Sequence, residues 1–227
     1  MRFLHLSRYD RSFKVVLLLF AMSAVCCLLV AFRILYTDHT TYRFLIWNLF
    51  LAWIPLLAAY GLRKVFSETS RKWLSLLVLG GVWLVFLPNS PYIFTDLVHL
   101  EDRRMSGHDI HILFDATLIF AFALTGLIAG FVSLYWVHKV LDQLFHHRIS
   151  WVLIACILVL TGYGVYLGRV VRWNSWDILV HPRSLLWDVL TEITHYTAFS
   201  LTALFSAFLL FCYLTLHSFI HISQNNK

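Results

Sequence analysis

The stretch WLVFLPNSPYIFTDLVH, residues 83–99, decides how this chain is read. It closes an apolar run that begins at Trp73, and Pro88 and Pro91 interrupt it. A helix from Trp73 to Leu87 reaches about 22 Å at roughly 1.5 Å per residue, short of a hydrocarbon core about 30 Å thick. The interruption therefore falls at membrane depth. Backbone that leaves a helix there is tolerated only where protein buries it or where it lines a watered cavity. The break predicts the floor of an outward-facing polar site.

Working outward, the remainder of the chain leaves little room for anything but membrane. Hydrophobic residues make up 60% of the sequence and charged residues 13%, against about 45–50% and about 25% in soluble domains. Six segments are long enough to span: 15–33, 42–62, 73–93 with its break near the outer end, 110–137, 151–169 and 192–220. This predicts an all-α bundle in a single integral membrane domain over 1–227, with a short interfacial helix between spans five and six. Arg2, Arg8, Arg11 and Lys14 before the first span suit a secretory signal. That apolar run is too long for one and no small-residue cleavage site follows, so it reads as an uncleaved anchor. Cys26, Cys27, Cys156 and Cys212 all lie in apolar spans without CxxC spacing, which points to buried small hydrophobes.

The net charge of +6 is strung along loops rather than gathered in a patch, which excludes nucleic acid as the expected partner. The N-terminal cluster and the Arg63 to Lys72 segment are the densest in Lys and Arg. Both fall on one side, which predicts both termini in the cytoplasm. Acidic residues contribute little to that rule, yet Asp38, Asp96, Glu101, Asp102, Asp109, Asp115, Asp177, Asp188 and Glu192 gather at the opposite, outer side. Spans one and two are nearly bare of polar residues.

Specific chemistry is therefore expected outside. Asn89 or Ser90 is suited to cap a restarted helix with Pro91 in its first turn, and a helix N-terminus at this depth suits a phosphate, carboxylate or carbonyl. On that helix Asp96 and His99 share a face, as residues for proton transfer, with Asp115 orienting them. Asp115 sits inside span four, and its cost there calls for a partner, expected to be an arginine. Arg169 and Arg172, three apart at the end of span five, can point the same way and either grip a phosphate or neutralise Asp96, Asp115 or Asp177. In WNSWD, residues 173–177, Asn174 or Ser175 can cap a short helix bearing Asp177 and His181. Candidate catalytic residues are thus Asp96, His99 and Asp115, and candidate substrate-binding residues are Asn89, Ser90, Tyr92, Arg169, Arg172, Asn174 and Asp177. Asp96, His99, Asp177 and His181 are types that a divalent ion such as zinc or manganese accepts, but their i,i+3 and i,i+4 spacings are common. No metal ligand is assigned and no cofactor is named.

Other features read as structural. The GLIAG spacing at 126–130 points to internal helix packing. His138, His146 and His147, beside Lys139 and Arg148, read as a solvated or headgroup-facing cluster in an inner loop. No Walker loop, dinucleotide fingerprint, GxSxG or HExxH occurs.

The phrases FLPNSPYIFTDLVHL and GRVVRWNSWDIL, with Asp115 between them, resemble an uncharacterised family of small bacterial integral membrane proteins, domain of unknown function 1361. Matching positions are Pro88, Asn89, Pro91, Tyr92, Asp96, His99, Asp115, Arg169, Arg172 and Trp173 to Asp177. His181 and His195 have no place in that pattern. The resemblance implies a bacterial plasma-membrane protein and leaves activity open. Three functions compete: an enzyme or binding protein for an anionic or lipid-linked substrate, an ion-coupled carrier, and a non-catalytic scaffold whose polar groups form a static network. The first is favoured, because the polar residues do not continue to the inner side as a carrier's path requires.

Overall fold

The computed structural model describes the backbone of residues 2–37, 40–67, 73–100 and 109–225 and, within these, the side chains of 12–36, 40–67, 73–98, 100 and 112–222. Among the described residues every regular element is helical. With no water in a bilayer core to satisfy backbone groups, a helix that bonds within itself is what such apolar sequence forms. Six helices are long and apolar enough to cross a membrane. The first two are α1 (Arg2–Thr37) and α2 (Arg43–Ser67). The third span is composite: α3 (Trp73–Phe86), α4 (Asn89–Tyr92) and a 3₁₀ segment, Ile93–Leu100. Then come α5 (Asp109–Leu144), α6 (His147–Tyr166), which ends in a π-helical turn over Leu167–Val171, and α9 (Tyr196–Asn225). Between the last two spans lie α7 (Asp177–Val180) and α8 (Pro182–Glu192).

The proline break behaves differently from a clean restart. Pro88 keeps a right-handed helical conformation and gives no side-chain cap. The amides of Ser90 and Tyr92 donate to the carbonyls of Leu87 and Pro88, and prolines have no N–H. These two donors of the short helix are spent locally.

Helices α2 and α5 form the centre. α2 packs on α3, α4 and α5, while α1 and the 3₁₀ segment also lean on α5, and α9 packs along α6. Near the break the core gathers Leu45, Leu49, Ile93, Leu118 and Phe122; the other half is built from Leu56, Trp83, Leu134, Ile154, Leu158 and Tyr213. The break is seated against GLIAG: a Cβ on Gly130 would lie 2.7 Å from Ser90 Cβ, and one on Gly126 would lie 2.9 Å from the Ser90 carbonyl oxygen. Those glycines serve internal packing, as their spacing predicts. Ser90 is fully buried against them and, among the described residues, its hydroxyl reaches the Ala52 carbonyl, at 3.5 Å; it packs there and does not line the cavity described below.

Span ends shift by several residues, the second running on to Ser67 and the third to Val98, and two further shifts relocate polar residues. The fourth span continues past 137 to Leu144, because Val140 and Leu144 still pack against Leu62 and Phe66. His138 is thereby helical and fully buried, bonded through Nδ1 to the Tyr213 hydroxyl at 2.7 Å, rather than in a solvated loop. His147 starts α6 and remains exposed with His146. At the other end, Glu192 belongs to α8, not to the last span.

The interfacial element is a hinged pair, α7 and α8, joined at His181. α8 turns its polar face to the protein: Tyr166 donates to Glu192 Oε2 (2.6 Å), Tyr163 to the Val189 carbonyl (2.7 Å) and Trp173 Nε1 to Asp188 Oδ2 (2.8 Å). Leu186, Trp187 and Leu190 are left exposed. A short helix with its apolar face outward is suited to lie in the headgroup boundary.

Candidate functional site

The proline break and the tryptophan-rich turn touch. Asn89 Nδ2 donates to Ser175 Oγ at 2.8 Å and to the Phe86 carbonyl at 3.0 Å, and Ser175 Oγ donates onward to the Val85 carbonyl at 3.1 Å. Ser175 is thus a clasp between α3 and the turn, not a helix cap. Pro88 presses into a notch on α6, where a Cβ on Gly164 would come within 2.5 Å of its ring. The contact encloses a cavity of about 230 Å³ whose walls include Trp47, Asn48, Asn89, Tyr92, Asp96 and Arg169.

Asp96, from the 3₁₀ segment, stands in that wall with only 2% of its surface exposed. It accepts from Asn48 Nδ2 at 2.9 Å and from Arg169 at 3.3 Å. A carboxylate so buried needs such partners, because a charge taken out of water without them is costly. Arg169 comes from the π-helical turn after α6 and is only partly buried. Among the described residues its guanidinium bonds Asp96 alone. Arginine carries five N–H donors in a planar fork, so most of them are free to meet a ligand.

Arg172 is not beside it. The wide π turn alters the three-residue spacing, and Arg172 itself adopts a left-handed conformation, φ 68° and ψ 31°, so that its amide and that of Trp173 both close on the Leu167 carbonyl. Its side chain is exposed and does not line the cavity. Left-handed backbone costs an L-residue about 1–2 kcal/mol, partly offset by glycine's greater entropy when unfolded. Arg172→Gly is therefore expected to raise the unfolding free energy by about 0.5–1 kcal/mol, read from denaturant unfolding in detergent.

Asp115 forms a separate cluster. Arg33 grips its carboxylate with two bonds, one of them 3.0 Å from Nη2 to Oδ2, and Tyr42 donates to Oδ2 at 2.8 Å. The arginine expected for Asp115 exists, but it comes from α1 rather than from Arg169 or Arg172. Asp115 does not line the cavity. Asp177 is likewise outside: its Oδ2 accepts from the backbone and side-chain amides of Asn174, at 2.7 and 3.3 Å, and holds the turn in shape. Asn174 and Tyr92 do line the cavity. The His99 side chain lies outside the described residues. His181 is exposed in the hinge, and among the described residues no three His, Cys, Asp or Glu side chains converge as metal ligands.

Asn48, Trp47, Arg33 and Tyr42 were not among the residues singled out from sequence. Asn48 carried a signal all the same, as an amide inside an apolar span, where a polar group calls for a named partner. Arg33 and Tyr42 sit at span ends, where charge and aromatic rings read as topology and interface anchors.

No curated protein and no solved structure gives a significant match to the chain. Residues 47–225, which hold both motifs and the whole cavity wall except Phe44, match the family described as "Protein of unknown function (DUF1361)", and the chain belongs to that family.

Proposed function

We propose that this multi-pass membrane protein uses the cavity to bind an anionic substrate, with a phosphate or carboxylate held against Arg169. The observation that carries this reading is the Arg169 guanidinium, which spends one arm on Asp96 and offers the rest to a cavity also walled by Asn48, Asn89 and Asn174. In a partly desolvated site, charge-assisted bonds of this kind are roughly twice as strong as neutral ones. Asp96 is the carboxylate among the lining residues, and it is the group in place to accept a proton from a bound substrate. The positive-inside pattern supports placing this end of the bundle outside a bacterial plasma membrane, with both termini in the cytoplasm.

The probe is hexyl phosphate, titrated calorimetrically into the purified full chain. Arg169→Gln is expected to weaken binding at least tenfold; because it also takes the guanidinium from buried Asp96, it is paired with Asp96→Asn/Arg169→Gln, which removes charge and counter-charge together and is expected to bind at least tenfold more weakly than the parent while the unfolding temperature stays within a few degrees. Unaltered affinity removes the proposal. A variant that folds normally yet no longer binds also separates this reading from a scaffold, in which removing the arginine is felt as instability.

A further inference from the structure

The cavity has two unlike walls. Asn89, Asp96, Arg169 and Asn174 make one polar; α2 makes the other, apolar at Phe44, Trp47 and Leu51 with the single amide of Asn48 among them. Trp47 is 52% exposed although it stands on a membrane-spanning helix, and its ring stacks at 5.4 Å on Phe50, which is 56% exposed. Ile46 and Leu57 extend the same exposed apolar stripe along α2. On the other side Trp47 meets Trp176 of the turn edge to face, at 6.0 Å. The apolar wall therefore continues, through Trp47 and Phe50, into the exposed apolar face of α2.

Size points the same way. A volume of about 230 Å³ falls below the roughly 300–1,000 Å³ of sites that enclose a drug-sized ligand. A head group fits, and whatever is attached to it must lie outside. Beside the cavity wall at Trp47, Phe50 continues the exposed apolar face of α2, so a chain that leaves the head group along that face is apolar.

Resting on the anion reading above, we infer that the occupant is a lipid phosphate, which enters sideways from the bilayer. The phosphate meets the free donors of Arg169 and the hydrocarbon chain lies along Trp47, Phe50 and Leu57. Lipid tails are as apolar as this stripe, so contact with it adds little affinity over the bilayer. The chain's contribution is to concentrate the phosphate at the depth of the cavity, and selection falls to the head group. A free phosphate offers the same chemistry to Arg169 without that concentration.

The full-length protein in nanodiscs of dioleoyl phosphatidylcholine doped with a phosphatidic acid bearing a diazirine in its acyl chain tests this. After irradiation and trypsin digestion, the label is expected on the peptide of residues 44–63, at least tenfold less in Arg169→Gln. Arg169→Lys, which keeps the charge and loses the fork, is expected to give an intermediate yield, and Arg172→Gly the wild-type yield. Millimolar inorganic phosphate is expected to leave the labelling unchanged. Label spread evenly over the spans and indifferent to Arg169 overturns the lipid inference. If inorganic phosphate then still binds in an Arg169-dependent way, the anion reading stands without it; if neither phosphate responds to Arg169, both fall.

Discussion

Replacing Arg33 with methionine is expected to lower the unfolding free energy by about 3–5 kcal/mol, the cost of taking from a buried carboxylate the guanidinium that grips it with two bonds. Asp115 has 1% of its surface exposed and Arg33 4%, so water has little access to the charge left behind. Tyr42 donates one bond to Asp115 Oδ2 but brings no charge. The reverse replacement, Asp115→Leu, takes from Arg33 the carboxylate it grips with two bonds and is expected to cost a similar amount. Replacing both removes charge and counter-charge together, and apolar substitutes for a buried pair are often neutral or stabilising. The Arg33→Met/Asp115→Leu protein is thus expected to return to within about 1–2 kcal/mol of the parent. Guanidinium or SDS unfolding of the four proteins in matched micelles gives the cycle. A single variant as stable as the parent sinks the argument, because it means the pair is hydrated after all. The pair stands apart from the cavity, so the double variant is also expected to bind hexyl phosphate as the parent does. A loss confined to binding moves Asp115 back into the chemistry.

How the two polar clusters divide the work was hidden in the sequence for a definite reason. Composition and apolar run length report what each segment is dissolved in, and so six helices, the break at Pro88 and the short element after Arg172 were all legible. Each asparagine-serine motif puts small polar groups where a membrane span permits few, and Asn89 meets Ser175. Pairing across helices is another matter. Arg33 and Asp115 are 82 positions apart and the contact depends on how α1 leans on α5, which no spacing rule reports. Faces failed wherever the backbone left the α-helix. Three residues from Arg169 place Arg172 on the same side only at 3.6 residues per turn, and the chain there widens and then turns left-handed. Ser90 failed for the complementary reason: bare α5 glycines drew the segment inward until its hydroxyl was buried.

That seating yields the second large effect, a coupling between two glycines on different helices. Gly130 of α5 accepts Ser90, with 2.7 Å between Cβ positions, and Gly164 of α6 accepts Pro88, with 2.5 Å to its ring. The break is held between two helices, each with a missing side chain where the segment passes. Alanine at either site gains about 1 kcal/mol of helix propensity over glycine. Overpacking of about 1–3 kcal/mol opposes it, and at separations so far inside contact distance the repulsion wins. Each single variant is expected to lose about 1–2 kcal/mol, since the segment yields by moving toward the helix that remains bare. With alanine at both sites that escape is closed, and the double variant is expected to lose more than the sum by about 0.5–3 kcal/mol. Asn89 lies between the two seated residues, so its bond to Ser175 is strained in the double variant and hexyl phosphate binding is expected to fall with stability. Strict additivity in unfolding free energy, with binding intact, would show that the segment is not gripped from both sides and that the cavity wall does not depend on its fit.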